Sequence, residues 1–391
     1  MTRNSLLWTL PCALFACGGH VSGGPAETPP EVDSGAAAPD PGTPSGGDAG
    51  TPATATDASP GAATDTGAAS PGPDAGTAAG AWPVPLGDQP VAISVVGGSV
   101  YAALFIEGIV SVPAAGGETT PLVSSAGQGV YFQNGFATDG ASLYFSESSG
   151  GYTSGLIARA PLGGGPATVL ASSLGFTSGI VVDAANVYWT DQDQNTVMRV
   201  PLGGGTPATI ASGLKSPAAL ALANGTLYVT DPGGDLLSVP TAGGTVTTLV
   251  TGPGIPANTF YADTSMPLVT DERYVYFSQC PSNGVNGVAG VYRVPLGGGT
   301  PTMLASGCAM GLAVDADSLY FTLADTVNAV PIAGGAVTVI ASGQFLSGGP
   351  AVDDANVYWG VTVQLGTCGL CPPPPKGQTN AIVRAPKPAT H

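Results

Sequence analysis

From Trp82 onward the chain is a succession of short apolar runs separated by Gly, Pro, Asp and Ser, without the clean alternation of apolar and polar positions that marks a strand with one wet face. The runs are rich in Val, Ile, Leu, Tyr and Phe, which suits strands packed on both sides. One pattern recurs: an aliphatic residue, Tyr, usually an aromatic or small residue, then Thr or Ser. It stands at Val100-Tyr101, Leu143-Tyr144-Phe145-Ser146, Val187-Tyr188-Trp189-Thr190, Leu227-Tyr228-Val229-Thr230, Val275-Tyr276-Phe277-Ser278, Leu319-Tyr320-Phe321-Thr322 and Val357-Tyr358-Trp359. Seven tyrosines therefore mark seven units, separated by 43, 44, 40, 48, 44 and 38 residues. A four-stranded propeller blade occupies roughly 40 to 50 residues.

The third unit shows how each blade is written. Strands are predicted at Gly179 to Val182, Val187 to Thr190, Val197 to Val200 and Ala208 to Ala211, with a turn from Asp183 to Asn186. Gly203-Gly204-Gly205 joins the last two strands, because a tight hairpin needs positive φ and Gly takes it without steric cost. Pro161, Pro201, Pro240, Pro295, Pro331 and Pro386 each close a third strand, where a missing N–H harms the ladder least. Small residues dominate the first strands, as a crowded central channel requires. The last unit stops after its third strand, and Trp82 to Leu86 precedes the first strand of the first unit without a blade of its own. The predicted fold is thus all-β, a seven-bladed β-propeller of four-stranded antiparallel blades over residues 81–391, closed into a ring by an N-terminal strand.

Two sets of residues carry a resemblance. Tyr188-Trp189-Thr190-Asp191 and Tyr228-Val229-Thr230-Asp231 resemble the YWTD propeller repeat of the low-density lipoprotein receptor class, and Pro217-Ala218-Ala219-Leu220-Ala221-Leu222 with Gly225-Thr226-Leu227-Tyr228 resembles an NHL-type repeat. Both imply a propeller and leave the ligand open. At the N-terminus, Arg3 precedes a mostly apolar run from Ser5 to Ala16 that is too short to span a bilayer as a helix. The run ends in Leu14-Phe15-Ala16-Cys17-Gly18, which resembles the lipobox of bacterial lipoproteins. That resemblance implies a signal peptide at residues 1–16 and acylation of Cys17. Residues 18–80 carry eight acids, no Lys or Arg, and no Phe, Trp or Tyr. Such a segment cannot bury enough apolar surface to fold, so residues 17–80 read as a lipidated, low-complexity linker. The expected localisation is the bacterial cell envelope, with the domain exported and lipid-anchored, at the outer membrane or cell surface.

Composition narrows the chemistry. Nine Lys and Arg stand against 26 acids, a net charge of -17, which argues against a nucleic-acid partner. The only histidines are His20 and His391, both outside any segment expected to form a core. The ring therefore has no imidazole for base catalysis or metal ligation. The ring is also similar in shape to the virginiamycin B lyases, whose chemistry depends on a histidine that this propeller lacks.

The turns joining second to third strands are predicted to be long from Glu147 to Gly155, Gln279 to Gly290 and Gly360 to Thr379. They form either a binding rim, with Tyr152, Asn283, Asn286 and Gln364 as contacts, or tolerated surface insertions. Cys280 and Cys308 are expected to project from the same face of adjacent blades and to pair. Cys368 and Cys371 suit a small structural disulfide better than a redox or metal site. Asp191 to Asn195 alternates oxygen ligands as a calcium loop does but has Thr196 where the sharp-turn Gly belongs, so an acidic hairpin tip is expected. Asp139, Asp183, Asp315 and Asp353 recur as turn stabilisers, and Arg159, Arg199, Arg293 and Arg384 recur too often for a unique catalytic role. No catalytic residue, metal or cofactor is assigned. The expected function is an envelope-tethered binding or scaffold module for a protein, peptide or glycan, the alternative being a metal-dependent lyase or lactonase-like hydrolase using carboxylates in the central channel.

Overall fold

The computed structural model describes residues 82–124, 130–149, 154–231, 235–251, 267–280, 289–362 and 380–389. They form seven four-stranded antiparallel sheets. The first strands are Pro90–Val96, Val130–Thr138, Thr177–Val182, Leu220–Ala223, Leu268–Thr270, Ala309–Val314 and Leu346–Val352, which open blades 1 to 7 in chain order. Each touches the first strand of the next blade, and that of blade 7 touches that of blade 1, so the sheets close into a ring. The predicted seven-bladed propeller is the fold observed.

Closure follows the predicted scheme. Blade 7 takes its first three strands from Leu346–Val352, Asn356–Val361 and Ala381–Pro386, and its outer strand from Val84–Pro85, with Val84 paired to Ile382 and Pro85 to Ala381. Only two residue pairs make this ladder, but side chains reinforce it. Val84 is buried, the Trp82 and Tyr358 rings lie 5.4 Å apart, and the Arg384 guanidinium sits 5.3 Å from the centre of the Trp82 ring. Such a cation over an indole contributes about 0.5 to 2 kcal/mol.

The core is distributed between the blades. Seven apolar clusters each lie between two neighbouring blades. Within Val187-Tyr188-Trp189, Val187 and Trp189 pack into the layer shared with blade 2, and Tyr188 into the layer shared with blade 4. Alternate residues of one strand thus enter two different cores. This explains why the apolar runs are continuous.

The turn after each third strand is also repeated. In six blades the carbonyl of the strand-ending Pro accepts a hydrogen bond from the N–H of a Gly three residues on, as Pro201 does from Gly204 at 2.8 Å. That Gly has a φ between 83° and 93° in all six, the left-handed region.

Candidate functional site

The ring presents two unlike faces. One carries the turns from first to second and from third to fourth strands, here the turn face. The other carries the turns from second to third strands and the connections between blades, here the connection face.

On the turn face the recurring polar residues are bound to one another. Tyr144, Tyr188, Tyr276, Tyr320 and Tyr358 donate to Asp139, Asp183, Asp271, Asp315 and Asp353 at 2.6 to 2.9 Å. The other oxygen of each carboxylate accepts backbone N–H groups two and three residues on, as Asp183 does from Ala185 and Asn186, both at 2.7 Å. Burial acts to raise Asp139, Asp183, Asp315 and Asp353, but the hydrogen bonds outweigh it and hold these four below the ordinary value. Tyr358 is pushed up to about 12 by burial and then by the Asp353 carboxylate.

The recurring arginines link blades. Arg159 donates to the Leu202 carbonyl at 3.2 Å, Arg199 to Thr241 at 3.0 Å, Arg384 to Ala114 at 2.8 Å, and Arg293 to Ile332. Each acceptor directly follows the strand-ending Pro of the next blade. Blade 4 lacks both the Asp and the Arg, and there Tyr228 itself reaches the Leu296 carbonyl of blade 5 at 3.2 Å. Between blades 6 and 7 the link runs backward, from Lys387 to Asp315 at 2.6 Å. Sequence reasoning had the turn role of four of these aspartates. It missed Asp271, the tyrosine partners and the carbonyl acceptors.

The connection face is built differently. Its central cavity, about 280 Å³, is lined by the first strands of all seven blades and the residues leading into them. A ring of equivalent positions, Ile93, Phe136, Ile180, Leu220, Leu268 and Leu312, is apolar, and none of the described lining residues is titratable. The predicted small residues have a steric reason at Gly311, where a Cβ would stand 2.2 Å from the Cα of Gly349 in the next blade. At Gly179 a Cβ would stand 2.5 Å from the Leu220 nitrogen. Hydroxyls of the repeat motif fill the remaining gaps. Thr190 accepts from Gly179 N–H at 2.8 Å and donates to the Ala218 carbonyl at 2.7 Å, and Ser278 accepts from Ala309 N–H at 2.9 Å.

Around this cavity the face is acidic. Blade 1 carries Asp88 and Glu107, blade 2 Glu147, and blade 3 Asp191 and Asp193. Blade 4 adds Asp231 and Asp235, and blade 6 adds Asp325. Glu147, Asp191 and Asp231 occupy one position of the repeat, directly after the hydroxyl residue, where blades 1, 6 and 7 have Leu104, Leu323 and Val361. A column-by-column comparison of the repeats would have found this. Asp191 is fully buried and takes hydrogen bonds from Gly175 N–H and from Gln194, so the predicted hairpin tip is anchored by its first residue. Asp231 is 4% exposed, accepts from Lys215 N–H at 3.1 Å, and leaves Oδ1 without a described partner. Burial raises Asp231 to about 6 and raises Glu147 above its ordinary value. Among the described residues no group of three or more His, Cys, Asp or Glu is placed to hold a metal ion.

Cys280 and Cys308 are joined by a disulfide, Cα atoms 5.1 Å apart, tying the second-to-third turn of blade 5 to the connection entering blade 6. Cys17, Tyr152, Asn283, Asn286, Gln364, Cys368 and Cys371 lie outside the described residues. The turn expected from Glu147 to Gly155 is shorter than predicted. Its flanking strands extend as Ser142–Ser149 and Ser154–Pro161, so the blade 2 hairpin is lengthened by extra pairs rather than by loop.

No protein-family profile matches the chain, and no curated protein is significantly similar to it. Solved structures are. A nidogen/laminin complex matches 57% of this chain and 86% of its own at 22% identity and a TM-score of 0.44. A streptogramin B lyase matches 78% of this chain and 97% of its own at 13% identity and a TM-score of 0.57. A prolyl endopeptidase matches 70% and 46% respectively, at 13% identity and a TM-score of 0.51. The likeness is one of fold. The function of this closed, seven-bladed β-propeller therefore has to be argued from its own residues.

Proposed function

We propose that this propeller is a binding module, tethered to the cell envelope through acylated Cys17 and a flexible linker, that recognises a protein, peptide or glycan through its connection face. One observation carries the reading: the recurring polar groups of the turn face are consumed in holding the ring, whereas the connection face has turns and carboxylates that differ from blade to blade. Non-repeating chemistry on a rigid repeat scaffold is where recognition is found in such architectures. The closing N-terminal strand runs into blade 7 from its turn-face end, with Trp82 beside Arg384 and Tyr358. The cavity, with no titratable group among its described lining residues, lends no support to lyase or hydrolase chemistry through channel carboxylates.

The test is site-specific photo-crosslinking in cells producing the full-length chain. A photoreactive residue replacing Ile106 on the connection face should give a discrete adduct, and one replacing Asp317 on the turn face should not. Adducts from neither position, or equally from both, would overturn the reading. Cys17→Ser should abolish fatty-acid labelling and release the protein from the membrane fraction, and retention of the label would remove the anchor from the proposal.

A further inference from the structure

We propose that the partner of the connection face is a basic polypeptide segment that seats one apolar side chain in the mouth of the central cavity. This deepens the binding reading above and rests on it. Six of the described cations, Arg159, Arg199, Arg273, Arg293, Arg384 and Lys387, lie at the turn face, which leaves Lys215 as the one described cation opposite it. The chain's remaining two are Arg3 and Lys376, so the acidic excess of the connection face does not depend on which residues are described. Carboxylates from five blades surround an opening with low-dielectric walls, an arrangement that concentrates cations and speeds their arrival. A neutral glycan would gain nothing from that field, and an acidic one would be repelled.

Size and exposure supply the second half. At about 280 Å³ the cavity falls just below the roughly 300 to 1,000 Å³ of small-molecule sites but accommodates a side chain. Met310 lines it and is 39% exposed, and Ile106, at the tip of the blade 1 turn, is 46% exposed. Beneath that tip Asp88 accepts from Ile106 N–H at 2.5 Å, and the Glu107 carboxylate, itself exposed, lies against Gly87. An apolar anchor inside a charged rim is the usual anatomy of a protein-binding patch.

The test uses the full-length protein and three synthetic peptides of equal length, alternating Lys and Phe, Lys and Ser, or Glu and Phe, followed by fluorescence anisotropy at low and high salt. The Lys/Phe peptide should bind at least about tenfold more tightly than the other two, and salt should weaken it. Met310→Arg should cost about tenfold. Glu107→Gln with Asp325→Asn should cost several-fold and flatten the salt dependence, and Asp317→Asn with Asp354→Asn on the turn face should change nothing. If Met310→Arg lowers the Tm, Ile106→Ser at an exposed tip gives the same readout without touching the cavity. Equal binding of the Lys/Ser peptide removes the apolar anchor, equal binding of the Glu/Phe peptide removes the charge argument, and equal losses from turn-face variants remove the site; each overturns the proposal. A discrete adduct from position 106 with none of these peptides binding would leave the binding module standing and sink this partner class alone.

Discussion

On the turn face the same aspartate and tyrosine meet in five blades and an arginine reaches the next blade in four, whereas no two described second-to-third turns of the connection face carry the same residues. Both faces belong to the same strands, so the difference is not one of scaffold. Where every blade needs the same contact, the repeat preserves it. Where the contact is to something outside the ring, nothing obliges one blade to resemble another. Repetition in a propeller therefore marks architecture, and its breakdown marks the surface worth testing.

The comparison can be broken by variants on either face, the largest effect coming from the disulfide between Cys280 and Cys308. Replacing Cys280 and Cys308 together by Ser frees a loop spanning 28 residues of sequence separation and should cost about 3 kcal/mol in denaturant unfolding. An unchanged midpoint would show that the connection face needs no such brace. Arg384→Ala removes both the Ala114 link and the cation over Trp82, and should cost about 2 kcal/mol and expose the N-terminal strand to protease first. A smaller loss than from Arg159→Ala, which removes only one link, would contradict the role given to ring closure.

Asp231 offers a signed test. Its folded value of about 6 lies above that of the unfolded chain, so the folded state holds a proton where the unfolded state has lost it. The stability it contributes is present below about pH 4 and is lost as pH rises through about 6. Asp231→Asn should therefore raise stability at pH 7 by about 1 to 3 kcal/mol, and the gain should fade toward pH 4. Asp139, Asp183, Asp315 and Asp353 on the turn face have the opposite sign, since hydrogen bonds depress them, and their contribution should disappear as pH falls below about 4. A gain from Asp231→Asn that persists at pH 4 would sink the burial argument. The smallest effect is expected from Glu107→Gln, within about 0.5 kcal/mol, because an exposed rim carboxylate has little to do with holding the ring.

By itself the sequence determined the blade count, the hairpin glycines, the strand-ending prolines and the closing N-terminal strand, because a repeat states each local rule several times over. Leu220 and Gly179 could be assigned to first strands from spacing alone. Local chemistry was legible too: an aspartate two residues before the backbone N–H it accepts is a sequence-range contact, and four of the five were found. The tertiary structure decided what lies at long range. That Tyr188 enters one core and Trp189 another depends on which blade faces each side of the strand. That Arg199 finds the Thr241 carbonyl, 42 residues away, depends on how far one blade is turned from the next. Asp191 and Asp231 share one position of the repeat, yet Gln194 donates to the first from both its backbone and its side chain, whereas Oδ1 of the second has no described partner and burial pushes Asp231 up to about 6. Repetition fixes what each blade does within itself, and packing between blades fixes the electrostatics, because burial and partners are set by neighbours that lie about forty residues away along the chain.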